Sequence, residues 1–158
     1  MMVTCKRLVP DASVILKWVL PKDKEPHFEE AQAILGNFHN GFIDLLVPTI
    51  WIYEVGNLLG RKYPDEANRL ITNLEAIGFK IIAPYPEWRQ QALSLMKQYR
   101  VTFYDAAYHA LAMTENALFV TADVAYIRKV GNQPEIMNLS DWLDQFPALN
   151  TKSVLTKE

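Results

Sequence analysis

The chain reads as one α/β domain, a layered sandwich on a short, mainly parallel sheet flanked by helices. Three observations carry that reading. Short apolar runs bounded by Pro, Gly or Asp alternate with stretches of helical periodicity. No repeat, low-complexity run or interior linker divides the 158 residues, a length that suits one domain. Half of the residues are hydrophobic and 22% are charged. At this size a single core buries roughly 70% of the unfolded surface, without a metal or disulfide staple.

The elements follow in order. Residues 5–9 form a first strand, ended by Pro10-Asp11, and residues 12–20 a helix stopped by Pro21. Pro26 opens a second helix, which the 36–41 region ends at its glycines. Residues 45–47 make a brief buried strand, and 49–62 a helix broken by Tyr63-Pro64. Residues 65–77 show the clearest amphipathic pattern, with Ala67, Leu70, Ile71, Leu74 and Ile77 on one stripe and Gly78 as the stop. A strand over 80–83 precedes a helix that Pro86 starts and Tyr99 ends. An alanine-rich helix runs from Asp105 to Glu115, a strand covers 117–121, a helix follows from Asp123 to Val130, and 135–139 is the last strand. The domain is expected to span 1–147, with a polar tail over 148–158.

Composition removes several functional classes. Sixteen basic against eighteen acidic side chains leave a formal charge of −2, which argues against a polybasic coat that grips nucleic acid without specificity. The single cysteine, Cys5, offers neither an intramolecular disulfide nor a zinc framework, and a reduced cytoplasmic setting is expected. No segment approaches the roughly 18 unbroken apolar residues of a membrane span; the strongest, 45–53, contains Pro48. At the N-terminus Lys6 and Arg7 precede only Leu8 and Val9, which is no signal peptide.

Chemistry is concentrated in four acids, three of them at element junctions. Asp11 closes the first strand, Asp123 lies two residues past the 117–121 strand, Asp105 starts a helix, and Glu54 sits inside one. Each aspartate alone is explained as a helix N-cap, worth about 1 kcal/mol. Glu54 is harder to explain that way. Its helix is apolar almost all round and therefore expected to be buried, where a lone carboxylate costs several kcal/mol unless paired or bound to a metal. Asn57 and Arg61, at i+3 and i+7, share its stripe, so a Glu54–Arg61 ion pair is the alternative.

Ser13 and Thr121 stand beside Asp11 and Asp123 as hydroxyl donors. His27, His39 and His109 lack the spacing of a soft-metal site, and His109, one turn after Asp105, suits a surface or half-buried role. Oxygen-only ligation points to Mg²⁺ or Mn²⁺.

Four segments then resemble a known family: Val9-Pro10-Asp11-Ala12-Ser13, Tyr53-Glu54-Val55-Gly56-Asn57-Leu58-Leu59, Tyr104-Asp105-Ala106-Ala107-Tyr108-His109-Ala110-Leu111-Ala112, and Phe119-Val120-Thr121-Ala122-Asp123. Together, in this order and over about residues 7–145, they resemble the PIN-domain nucleases, and within them the VapC-type toxins of prokaryotic toxin–antitoxin pairs. The resemblance implies a three-layer PIN-like sandwich and a metal-dependent endoribonuclease. In it Asp11, Glu54, Asp105 and Asp123 would surround one or two Mg²⁺ or Mn²⁺ ions, supported by Ser13, Asn57 and Thr121. It also implies a homodimer and a small antitoxin protein lying in an apolar groove, which the stripes of the 49–62 and 65–77 helices are expected to border.

The chemistry agrees: phosphodiester hydrolysis needs an activated water, in-line geometry and neutralisation of growing charge, all of which carboxylate-held divalent ions supply. Lys17, Arg61, Lys62, Arg128 and Lys129 are the expected RNA contacts. Alternatives are an RNA-processing nuclease outside toxin–antitoxin pairs and a non-catalytic RNA-binding or interaction module. A phosphotransfer receiver fits poorly, since Asp11 follows Pro10 and no lysine follows the last strand.

Overall fold

Strand β1 (Arg7–Pro10) lies in the middle of the sheet because Leu8 and Val9, on opposite faces, are both apolar and both fully buried. The computed structural model describes residues 7–147. The expected strand start at residues 5 and 6 and the polar tail over 148–158 lie outside them. Strands β2 (Asp44–Pro48), β3 (Lys80–Ile82), β4 (Leu118–Thr121) and β5 (Ile136–Asn138) complete a five-stranded sheet in the order β3-β2-β1-β4-β5. Every pairing in it is parallel, with Leu8 opposite Leu45 on one side and Leu118 on the other.

Helices α1 (Ala12–Ile15), α2 (Phe28–His39), α3 (Trp51–Lys62) and α4 (Ala67–Glu75) belong to the connections that step outward from β1 to β3. Helices α5 (Pro86–Tyr99), α6 (Phe103–Thr114) and α7 (Val124–Val130) belong to the connections that step the opposite way, from β3 across to β5. Right-handed crossovers therefore place the two groups on opposite faces of the sheet, giving three layers. The core gathers on both faces, with Trp51 and Leu59 from α3, Tyr108 and Leu111 from α6, and Phe119 from β4 fully or almost fully buried.

Local departures from the sequence reading have identifiable causes. The expected 12–20 helix is short and tightens into a 3₁₀ turn at Leu16–Trp18. The α2 helix starts after His27, which takes a left-handed φ of 59°, and Gly36 stays inside it. Helix α8 (Trp142–Gln145) is an addition, preceded by a 3₁₀ turn and anchored by buried Trp142, whose ring lies 4.3 Å from that of Phe146.

Helix α3 is not buried all round: Trp51, Val55 and Leu59 form one buried face, and Tyr53 and Asn57 turn outward. Between α3 and α4, where an apolar groove is expected, the two helices pack on each other, with Ile71 and Ile77 left half-buried. Ala67, Leu70 and Leu74 are buried, and a methyl at Gly56 would meet Ile71 Cδ1 at 3.8 Å. Among the described residues no helix is long and apolar enough to cross a membrane.

Candidate active site

Strand order reverses between β1 and β4, and a parallel sheet opens a crevice at the carboxyl ends of the strands where this happens. Both strands deliver an aspartate there. Asp11 follows β1, and its N–H donates to Val120 O at 2.9 Å, locking the two strand ends together. Ser13 Oγ and Thr121 Oγ1 both donate to Asp11 Oδ2, at 2.7 and 2.9 Å. Each hydroxyl is also an acceptor, Ser13 Oγ from Ala122 N–H at 3.0 Å and Thr121 Oγ1 from Asp123 N–H at 2.9 Å. One oxygen of Asp11 is thus held by two hydroxyls that the β4–α7 corner itself holds.

The capping explanation applies to one aspartate of the three. Asp123 Oδ1 accepts from Tyr126 N–H at 3.1 Å and caps α7. Asp11 occupies the N-cap position of α1 but makes no side-chain capping bond. Asp105 does not start its helix. Thr102 caps α6 by accepting from Asp105 N–H at 3.1 Å, which leaves the Asp105 carboxylate exposed in the first turn.

Glu54, in the first turn of α3, is half-buried and accepts from Tyr108 OH at 2.9 Å rather than pairing with Arg61. Tyr108 is fully buried on α6, one turn beyond Asp105. Burial is the main reason that Glu54 holds its proton to about 7; the Tyr108 hydrogen bond opposes this, and the charges of Asp11 and Asp105 add to it. Burial also raises the Asp11 carboxyl, Ser13 and Thr121 pull it back, and the Asp123 charge pushes the same way as burial.

The Tyr108 phenol is driven up by burial and by the charges of Glu54, Asp11 and Asp105, and the Tyr126 phenol by burial and then by Asp105 and Asp11. These mutual influences put the four acids in one electrostatic neighbourhood, floored by two tyrosines. Among the described residues, no three Asp, Glu, His or Cys side chains stand at the separation at which they would jointly hold an ion.

His109 is not on the surface. It is 1% exposed, with Nδ1 2.6 Å from Tyr126 OH and Nε2 2.9 Å from Glu135 Oε1. Burial lowers its pKa, and its ring stacks on Phe119. Lys17 is not available to RNA: it is 4% exposed, and its Nζ lies 3.0 Å from Glu25 Oε2. Arg61 and Lys62 in the last turn of α3, and Arg128 and Lys129 in the last turn of α7, are exposed. Arg61 stands about 10 Å along the helix axis from Glu54, so these cations flank the acids rather than mingle with them. Asn57 is exposed beside Glu54.

Tyr108 and Tyr126 are the site residues that sequence reasoning missed. The signal available was the need of a half-buried Glu54 for a donor, together with two tyrosines placed three residues after Asp105 and Asp123.

A short parallel sheet with acids at its switch point defines a class, and the PIN domain family profile matches residues 8–132. The chain belongs to the PIN-domain family. It is 32% identical over 124 residues to Ribonuclease VapC3 of Pyrobaculum aerophilum, an alignment covering 74% of this chain and 89% of that protein. Its fold matches a chain of a toxin–antitoxin complex from Klebsiella pneumoniae, with a TM-score of 0.63 and 17% identity over 84% of this chain and 97% of that one. It also matches a chain of VapBC2 from Rickettsia felis bound to a DNA fragment from their promoter, with a TM-score of 0.64 and 14% identity over 84% and 98% of the two chains.

Proposed function

We propose that this PIN domain is a metal-dependent endoribonuclease that serves as the toxin of a toxin–antitoxin pair in the cytoplasm. The observation that carries the reading is the doubly clamped Asp11 at the strand switch point, in one electrostatic neighbourhood with Glu54, Asp105 and Asp123. An all-oxygen donor set suits Mg²⁺ or Mn²⁺. The fit has a second support: Glu54 holds its proton to about 7 mainly through burial, with the charges of Asp11 and Asp105 adding to it, and a bound cation would favour the charged form that burial and those neighbours oppose.

When bound, such an ion acidifies water and neutralises the phosphoryl oxygens. The chain does the rest. Ser13 and Thr121 fix the orientation of Asp11, and Tyr108 fixes that of Glu54. Asp123 is held by the Tyr126 N–H, and Asp105 is the exposed member of the set that would hold the ion. His109 is no general base, because both its ring nitrogens are engaged behind Tyr126. Arg61, Lys62, Arg128 and Lys129 are exposed in the last turns of α3 and α7, which supports a role in holding RNA phosphates.

The toxin role and the antitoxin partner rest on the relatives, two of which are described as toxin–antitoxin or VapBC assemblies. A homodimer is part of the same proposal. The purified protein with Mg²⁺ or Mn²⁺ should cut structured RNA internally, and EDTA or Asp11→Asn should stop it. Equal cleavage in EDTA would overturn the metal-dependent reading.

A further inference from the structure

Next to the acids lies a slot that the reaction described above does not use. It is an apolar cavity of about 120 Å³ between the ends of β2 and β3, the start of α3, and helices α5 and α6. Pro48, Trp88, Ala107 and Leu111 are its buried residues, and its exposed rim carries two large aromatic rings, Tyr53 and Tyr104, at 72% and 58%, with Ala83 and Pro84. The buried side is rigid: Trp88 Nε1–H donates to Ala107 O at 2.9 Å, and Phe103 meets the Trp88 ring edge-on at 5.4 Å. No charged side chain lines the slot.

Tyr53 immediately precedes Glu54, and Tyr104 immediately precedes Asp105. The slot and the acids thus share the first turns of α3 and α6, and a strand long enough to cross the acids has the two tyrosines within reach. An uncharged slot does not take a phosphate. At this size, well below the roughly 300–1,000 Å³ of cavities that enclose drug-sized ligands, it does not take a helix either. A flat, apolar-faced ring with a polar edge fits it, and the phenols and the Thr49 hydroxyl supply polar groups around it.

We propose that this slot receives one unpaired nucleobase of the RNA, stacked against Tyr53 and Tyr104, next to the scissile phosphate. Aromatic side chains are how proteins hold splayed-out bases, and such stacking selects single-stranded segments over duplex. The proposal rests on the nuclease reading of the neighbouring acids, and makes the slot its device for choosing where RNA is cut.

The test uses the intact protein in EDTA, so that no cleavage is needed. Nuclear magnetic resonance titration with AMP, GMP, CMP and UMP should shift the rings of Tyr53 and Tyr104 and the Trp88 indole N–H, and ribose 5-phosphate should not. Dodecamers of A, C or U should bind Tyr53→Ala and Tyr104→Ala about tenfold more weakly than wild type, and the Phe variants should recover most of the loss.

Ribose 5-phosphate shifting the same rings as the nucleotides, or Ala variants binding like wild type, would overturn the proposal. So would Ala variants that turn a dimer into a monomer in light scattering with oligonucleotide binding unchanged, because the face would then belong to a second copy. The nuclease reading fails separately: base-specific shifts at the slot with no metal-dependent cleavage of any RNA would leave the slot standing without it.

Discussion

Replacing Glu54 by glutamine removes one negative charge from the cleft and keeps a carbonyl to accept the Tyr108 hydroxyl. The wild-type carboxyl holds its proton to about 7 in the folded chain, against an ordinary 4.5. Below 4.5 the group is neutral in both folded and unfolded states, and the charge has no effect. Between 4.5 and 7 the folded state binds more protons than the unfolded one, so wild-type stability falls as pH rises, and above 7 the loss is complete.

The full displacement corresponds to about 3 kcal/mol, and solvent screening of a half-buried group reduces the expected gain to about 1–2 kcal/mol. For a chain of this size Glu54→Gln should melt roughly 2–8 °C above wild type at pH 8 in EDTA, and level with it at pH 4. Manganese should reverse the order, since wild type gains about 2.7 kcal/mol at a hundred times its dissociation constant and the variant less. Differential scanning calorimetry at the two pH values, with EDTA and with Mn²⁺, reads all four numbers. Superimposable melts of the two proteins at pH 8 in EDTA would refute the reasoning.

Tyr108→Phe removes the hydrogen bond that keeps Glu54 from holding its proton still more tightly. The acid limb of the pH–rate profile for RNA cleavage should therefore move upward, with activity at pH 7 down about tenfold and thermal stability lower by about 1 kcal/mol. Ser13→Ala takes one of two donors from Asp11 and strands the Ala122 N–H. Urea unfolding should show a loss of about 1–3 kcal/mol, and calorimetric titration a weaker affinity for Mn²⁺. Lys17→Ala should destabilise by about 3 kcal/mol by leaving Glu25 without its partner, yet leave the salt dependence of RNA binding unchanged. Lys62→Ala should do the opposite, lowering the slope of log affinity against log salt by about one at unchanged stability.

The parts of the molecule that the sequence predicts well are those governed by local pattern. Pro86 starts α5 and Tyr99 ends it, and the stripe Ala67, Leu70, Leu74 names the buried face of α4. The order of strands and helices, and the junctions at Asp11 and Asp123, follow from the same reasoning. Where the reading slips, a competing local interaction decides. Asp105 looks like a cap, but Thr102 takes that position because its hydroxyl accepts from the Asp105 N–H three residues further on.

Tertiary partners stay hidden. Lys17 and Glu25 are eight residues apart, across Pro21, and nothing in the spacing says that the lysine turns inward. Tyr108 lies in an alanine-rich helix and reads as a core residue, and only the fold brings its hydroxyl to Glu54. His109 is misread for the same reason, since both its partners come from other elements.

The clamp on Asp11 has a consequence for synthesis. Its two donor hydroxyls are far apart in sequence, Ser13 two residues and Thr121 110 residues downstream of Asp11. A ribosome that has released Asp11 and Glu54 has yet to add Asp105, the β4 strand that fills the open edge of β1, and Asp123. Domains fold as units while they emerge, and the long-range pairing of β1 with β4 must wait for its second half. On the nuclease reading proposed above, the site therefore stays incomplete for as long as the ribosome is still making the second half of the domain. Its working parts meet only when translation of the domain is nearly done.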